Sequence, residues 1–121
     1  MDEQSPEPTP VTDYFPALAD EVAGFPPLDW WLNPRTGELV GKPAGDPDTA
    51  IAAFAQWCVE REGGQYERVT TAGYFTSFIC RTMLADRPAS VRMIVPLTDA
   101  MDGDVLARRV AAAIDKRLAL G

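Results

Sequence analysis

The sequence contains no histidine, and it has only two cysteines and two lysines. Histidine is the side chain that most often acts as a general base near neutral pH, and it is the commonest nitrogen ligand of zinc. Its absence excludes histidine-based catalytic triads and histidine-containing metal sites within this chain. The first inference about function is therefore negative: this chain does not use histidine as a general acid or base.

Long apolar runs are also missing. No stretch approaches the ~20 apolar residues that a helix needs to cross a bilayer. The first ten residues lack the basic segment followed by an apolar run that marks a secretory signal. We therefore expect no membrane partner, and we expect a cytoplasmic protein or one built into a virion that assembles in the cytoplasm.

The 121 residues are 46% hydrophobic and 24% charged, which is typical of a globular chain. Domains of about 100 to 150 residues have a single core. The length therefore leaves no room for a second domain.

Negative charge is concentrated near the start of the chain. The formal net charge is −7, yet the first 24 residues hold six acids and no base, which leaves 12 acids against 11 bases in the rest. A nearly neutral body lacks the basic surface that attracts phosphate backbones. Direct binding of nucleic acid is therefore not expected.

Proline alternates with other residues between Ser5 and Pro10. Because proline fixes φ and lacks a backbone N–H, this pattern favours an extended, polyproline-like arm. We therefore divide the chain into an acidic proline-rich arm, residues 1–12, which does not join the core, and a single domain, residues 13–121.

Hydrophobic periodicity and turn residues predict an α+β fold for that domain. An antiparallel sheet, made of a three-stranded meander plus an N-terminal hairpin, packs against two main helices. The predicted elements are a short helix (16–23), a hairpin (28–32 with 38–40), a helix (46–63), three strands (66–71, 74–84 and 91–97) and a last helix (99–120). Helical spacing predicts that the helix 46–63 buries a stripe, with Trp57 at its edge, made of Ile51, Phe54, Ala55 and Cys58. The stripe predicted for the last helix is Leu106, Val110, Ala113, Ile114 and Leu118.

The two cysteines, Cys58 and Cys80, lie among apolar neighbours. Reduced, packed thiols are the ordinary outcome in such surroundings, and a disulfide or a catalytic thiol are the alternatives. Catalysis by cysteine generally needs an activating base or an electropositive site. We therefore predict two structural thiols.

Two segments resemble ligand-binding loops but have the wrong spacing. Residues 37–43 place three residues between the glycines instead of four, and Pro43 stands where a phosphate loop needs a hydroxyl. Asp99, Asp102 and Asp104 lack the calcium-loop spacing and are typical of a helix N-terminus. We expect no catalytic residue, no metal and no cofactor, and therefore no enzyme.

Pairing the last two strands predicts which side chains share a face of the sheet. If Ala85 lies opposite Ser90, one face carries the apolar residues beneath the helices, and the other mixes apolar residues with arginine. The residues predicted on this outer face are Phe75, Ile79, Arg81, Met83, Arg92 and Ile94, with Arg81 opposite Ile94 and Met83 opposite Arg92.

Such a face is too apolar for plain solvent-exposed surface, and apolar side chains interleaved with arginine are typical of an interface centre. Adjacent residues of a strand point to opposite faces, so only one of Trp30 and Trp31 can easily enter the core. We take both tryptophans and the outer-face residues as candidate partner contacts. The alternative is that the hairpin or the first helix covers this face within the chain.

These features predict a non-enzymatic interaction or assembly protein that binds protein partners, in a homo- or hetero-oligomeric assembly. Its sharper form is a small structural or completion subunit of a phage-virion-like assembly, since the order helix, meander, helix is similar to that of phage tail-completion proteins and secretion chaperones. The alternative is a small acidic inhibitor, an immunity-type protein or a secretion-chaperone-like protein that binds a basic partner through the acidic segment.

Overall fold

The computed structural model describes residues 10–11, 14–71, 74–97 and 103–120. It has one small α+β domain, whose helices pack against a single five-stranded sheet of strand order β1-β2-β5-β4-β3. All neighbouring strands are antiparallel except β2 and β5. The predicted fold class is therefore confirmed. The elements are a 3₁₀ turn at Pro16–Leu18, α1 (Ala19–Val22), β1 (Leu28–Leu32), β2 (Leu39–Pro43), α2 (Pro47–Glu62), β3 (Glu67–Thr71), β4 (Phe75–Leu84), β5 (Arg87–Pro96) and α3 (Gly103–Leu120).

The central helix, α2, begins and ends where its local sequence predicts. The Asp46 carboxylate accepts a 2.7 Å hydrogen bond from the Thr49 N–H, and Pro47 lies in the first turn. Gly63 closes the helix with a φ of 66°, a left-handed conformation that glycine adopts without a Cβ clash. The hydrogen bond from Thr49 lowers the pKa of Asp46 below its ordinary value.

We expect Asp46→Ala to lower the melting temperature at pH 7, because the Thr49 N–H loses its acceptor. Since the folded-state pKa of Asp46 is lowered, the cap stabilises the protein above the unfolded-state pKa, and this contribution is lost as pH falls through the folded-state pKa. Thermal unfolding of both proteins at pH 7 and at about pH 2 measures the effect. A difference in melting temperature that stays the same at both pH values would contradict a role for the ionised carboxylate.

The β1–β2 hairpin closes through the predicted loop. The Asn33 N–H donates to the Glu38 carbonyl, and the Gly37 N–H donates to the Asn33 carbonyl, both at 2.8 Å. Gly37 has a φ of 73°, which glycine adopts readily. The second strand continues beyond its predicted end at residue 40 to Pro43.

The turn between β4 and β5 is shorter than predicted. Ala85 and Asp86 have φ values of 51° and 61°, as a two-residue hairpin turn requires. β5 therefore begins at Arg87 rather than at Val91. The predicted four-residue loop was wrong because Pro88, read as a turn residue, lies inside the strand.

The register of β4 against β5 consequently differs from the prediction by four residues. Side chains alternate between the faces with a period of two, so an even shift leaves each residue on its predicted face. The face assignment is therefore right, and the predicted pairs are wrong. The observed pairs are Ser77 with Ile94, Ile79 with Arg92, Arg81 with Ser90 and Met83 with Pro88.

A parallel pairing joins the hairpin to the meander, and the sequence did not predict it. Residues 39–41 of β2 lie beside residues 89–91 of β5. Parallel neighbours need a crossover connection, which here consists of α2 and the β3–β4 hairpin. The pairing merges two separate strand groups into one sheet.

The hydrophobic core lies between α2, α3 and the inner face of the sheet. Trp57, predicted at the edge of the α2 stripe, is fully buried, so that prediction was wrong. Its ring stacks on Phe25 with centroids 4.1 Å apart and meets Trp30 edge-on at 5.8 Å. The chain preceding β1 folds over this part of α2, which helical periodicity alone does not show. The predicted α2 stripe is buried as expected: Ile51, Phe54, Ala55 and Cys58.

The core also includes a residue that was assigned to the arm. Val11 is 1% exposed, and its carbonyl accepts hydrogen bonds from the N–H groups of Tyr14 and Phe15, both at 3.0 Å. The expectation that residues 1–12 stay outside the core was therefore wrong at Val11. Residues 1–9 lie outside the described residues, and their extended conformation stays a prediction.

The last helix, α3, packs onto α2 with most of its predicted apolar stripe, but Leu118 is 46% exposed, so its assignment to the buried face was wrong. Among the described segments, no helix is both long and apolar enough to cross a bilayer. The buried α3 residues are Leu106, Val110 and Ile114.

Candidate functional site

The outer face of the sheet, opposite the helices, carries a set of exposed large apolar side chains. Their exposed fractions run from 42% at Phe75 to 52% at Trp31. One face of an antiparallel sheet can be open to water, but its residues are then mostly polar. The exposed apolar residues of this face are Trp31 on β1, Val69 on β3, Phe75 and Met83 on β4, and Ile94 on β5.

The described part of the chain leaves this face open. β1 and β2 extend the sheet sideways instead of folding over it. Leu18 and Val22, from the first helical segment, pack against the core on the other side. Among the described residues, these N-terminal elements do not cover the predicted outer face.

The two adjacent tryptophans are divided between the faces, as the strand period requires. Trp30 is buried in the core, so it is wrong as a partner contact. Gly41, its cross-strand neighbour, makes room for it, since a Cβ at Gly41 would lie 2.9 Å from the Trp30 ring. Trp31 points outward and is the exposed member of the pair.

Ile79 lies on the outer face but is not free to contact a partner. It sits mid-sheet, with Glu67 of β3 and Arg92 of β5 as its direct cross-strand neighbours, and it is buried. With 7% of its surface exposed, its side chain has little area to offer a partner. As a direct partner contact, Ile79 was therefore wrong.

The predicted outer-face arginines are neutralised within the sheet. Arg81 forms an ion pair with Glu67 at 2.6 Å. Arg92 donates from Nε to the Ser90 hydroxyl at 3.1 Å and pairs through Nη2 with Glu38 at 3.4 Å. Exposed pairs of this kind contribute about 1 kcal/mol or less to stability. Their main effect here is to leave the face without a strong net charge.

The strand register brings several uncharged side chains together at one end of this face. Val69 lies opposite Ser77, which in turn lies opposite Ile94, and Phe75 lies opposite Pro96 in the next row. We call Val69, Phe75, Ile94 and Pro96 the apolar patch. Val69 was not among the residues predicted on this face, although strand alternation places it on the same side of β3 as Glu67.

The two cysteines face each other across the core, between α2 and β4. Both are free and buried. Hydrogen bonding to the Cys80 thiol and burial raise the pKa of Cys58 well above its ordinary value. A thiol held in the neutral form is a poor nucleophile, so the geometry favours the structural role predicted for this residue.

The described residues do not bring together three or more side chains of the cysteine, aspartate or glutamate type that could hold a metal ion. No family model, curated protein or solved structure matches this chain.

Proposed function

We propose that this chain is a non-enzymatic assembly protein that docks onto a protein partner through the outer face of its sheet. The observation that carries the proposal is the row of exposed apolar side chains on a face whose two predicted arginines, Arg81 and Arg92, are already paired. In its sharper form, the chain is a small structural or completion subunit of a virion-like assembly.

The residue types on this face support docking rather than catalysis. Interface centres are enriched in aromatic residues, methionine and arginine. Trp31, Phe75 and Met83 supply the first two types, and Arg81 and Arg92 supply the third. Each large apolar side chain that a partner buries contributes on the order of 1 to 2 kcal/mol. The same residues offer no activated nucleophile or general base.

We expect Phe75→Glu to remove partner binding while leaving the isolated fold intact. Phe75 is 42% exposed, and a surface substitution usually changes stability by about 0.5 kcal/mol or less. At an interface the same carboxylate would be desolvated without a partner, at a cost of about 3 to 5 kcal/mol. Affinity capture from an extract of the source cells, combined with urea unfolding, measures both effects.

Leu118→Glu is the matched control, because Leu118 is 46% exposed but lies on α3, away from the sheet face. Proteins retained by the wild type and by Leu118→Glu, but lost with Phe75→Glu, would support docking through the outer face. Equal retention by both variants, or a marked loss of stability in Phe75→Glu alone, would contradict it.

The salt dependence of partner binding distinguishes docking through the outer face from the alternative function, in which the acidic segment inhibits a basic partner. Docking through apolar side chains depends little on ionic strength, whereas attraction between opposite charges weakens as the Debye length falls from about 10 Å at 0.1 M to about 3 Å at 1 M. Of the acids in that segment, Glu21 is already paired with Arg61 at 3.6 Å. Steep loss of the captured partner at high salt would favour the inhibitor.

A further inference from the structure

One half of β5 has an unpaired edge. β4 pairs with β5 along residues 87–96, whereas β2 pairs with it only along residues 89–91. Between Arg92 and Pro96, no described strand pairs with β5 on its β2 side.

The direction of the backbone groups follows from one hydrogen bond. The Leu97 N–H donates to the Tyr74 carbonyl, its opposite residue, at 2.9 Å. Because backbone groups alternate along a strand, every second residue from Leu97 faces β4, and the others face away. Pro88 and Pro96 fall at positions facing away, where a missing N–H does not disturb the ladder with β4.

Pro43 explains why β2 stops pairing. The Asn33 N–H to Glu38 carbonyl bond sets the alternation in the hairpin, so residues 39, 41 and 43 of β2 face β5. The next bond of the parallel ladder needs an N–H from Pro43 to the Arg92 carbonyl, and proline has none. The Arg92 carbonyl and both backbone groups of Ile94 are therefore left facing an open groove.

The groove beside this edge has a volume of about 430 Å³. It runs between β5 and the start of α2, and it is lined by Lys42, Pro43, Pro47, Ile94 and Pro96 among others. The volume lies in the ~300 to 1,000 Å³ range of ligand-binding sites. An exposed strand edge is the feature to which an extended peptide adds as a further strand.

The charge in the groove selects for an acidic occupant. Lys42 and Arg92 line the groove, and no acidic side chain does so among the described residues. Arg92 is held by Glu38, whereas no ion pair in the described part of the chain involves Lys42. A carboxylate entering the groove would meet an unpaired ammonium group.

A peptide that adds to this edge must donate N–H groups from every second residue, because only every second carbonyl of β5 faces the groove. The sequence from Ser5 to Thr9 has this pattern, because Ser5, Glu7 and Thr9 keep their N–H groups and the prolines fall between them. Residues that precede proline favour extended conformations. Glu7 also supplies the carboxylate.

We propose that the open edge of β5 binds residues 5–9 of a second copy of this chain as an added strand, so that neighbouring subunits are linked by exchanged arms. The proposal rests on the assembly function proposed above and names the partner of the arm.

Two observations favour a second copy over the alternatives. Pro10 and Val11 line a cavity with Leu28 and Trp30 that shares no residue with the groove, so the last described residues of a chain's own arm lie outside its own groove. Direct pairing of two β5 edges would stop after Ile94, since Pro96 has no N–H to donate.

The test is sedimentation equilibrium of the purified full chain from about 1 μM to about 1 mM, a range that covers weak to moderate association. We expect concentration-dependent association in the wild type. Thr9→Pro removes one donor and should weaken association about tenfold, as the loss of one hydrogen bond predicts. Pro8→Ala keeps all three donors and should have no such effect.

Charge reversal gives a second readout that a change in folding cannot imitate. Lys42→Glu and Glu7→Lys should each weaken association about tenfold, and the double variant should recover it. A wild type that stays monomeric to 1 mM, or association that is insensitive to Thr9→Pro, would overturn the exchanged-arm proposal. Phe75→Glu lies outside the groove, so partner capture that fails with Phe75→Glu but survives with Thr9→Pro would leave the outer-face function standing.

Discussion

Trp57→Ala should destabilise the protein by about 3 to 5 kcal/mol, as expected for removing a buried aromatic ring from a close-packed core. Trp57 is buried, stacks on Phe25 at 4.1 Å, and donates from its indole Nε1 to the Pro26 carbonyl at 3.3 Å. The substitution creates a cavity and also frees the segment before β1, because both of these contacts fasten that segment to α2. Urea unfolding followed by far-UV circular dichroism measures the loss.

Trp31→Ala is the matched control for Trp57→Ala. The same side chain is removed, but from an exposed position on the outer face, so the expected change is about 0.5 kcal/mol or less. If the two variants lost similar stability, the division of tryptophans between core and surface would be wrong.

Deletion of residues 1–12 should destabilise the domain by about 1.5 to 3 kcal/mol, the contribution of a fully buried valine. Val11 is in the core cluster, and its carbonyl is the acceptor for two N–H groups of the following turn. For a domain of this size, such a loss lowers the melting temperature by roughly 3 to 6 °C per kcal/mol. Differential scanning calorimetry of the two chains measures it.

Deletion of residues 1–9 alone keeps Val11, and it should leave the melting temperature of the monomer nearly unchanged. It should nevertheless abolish self-association if the arm is exchanged between subunits. An intact melting temperature after removal of residues 1–12 would show that Val11 is dispensable and that the boundary first drawn from the sequence was sufficient.

Local patterns in the sequence were enough to predict each helix and strand. Asp46, Pro47 and Gly63 act within a few residues of themselves, so a cap and a stop can be recognised without knowing the rest of the fold. The same holds for the loop around Gly37. Faces were predictable for a similar reason, since an alternating strand keeps its inner and outer sides even when its register is wrong by four residues.

The sequence predicted which face of the sheet carries the candidate site, but it did not predict the exposure and cross-strand neighbours of every residue on that face. Phe75, Met83 and Ile94 are exposed on the outer face, as the alternation indicated. For the two adjacent tryptophans, alternation indicated only that one is exposed, and the structure shows that it is Trp31. The neighbour of Ile79 on β5, in contrast, was mispredicted, because the turn that sets the β4–β5 register was misjudged at Pro88.

The sequence by itself determined the elements, their faces and the concentration of acid and proline before the domain, because these depend on residues close together in the chain. Only the tertiary structure decided that β2 pairs in parallel with β5, that Trp57 and Val11 enter the core, and that half of β5 is left with an open edge. The pairing of β2 with β5 joins strands separated by a helix and a hairpin, and the contacts of Trp57 join α2 to the segment before β2. Their free energy depends on packing between distant parts of the chain, and no local pattern encodes which distant segment a strand edge will meet.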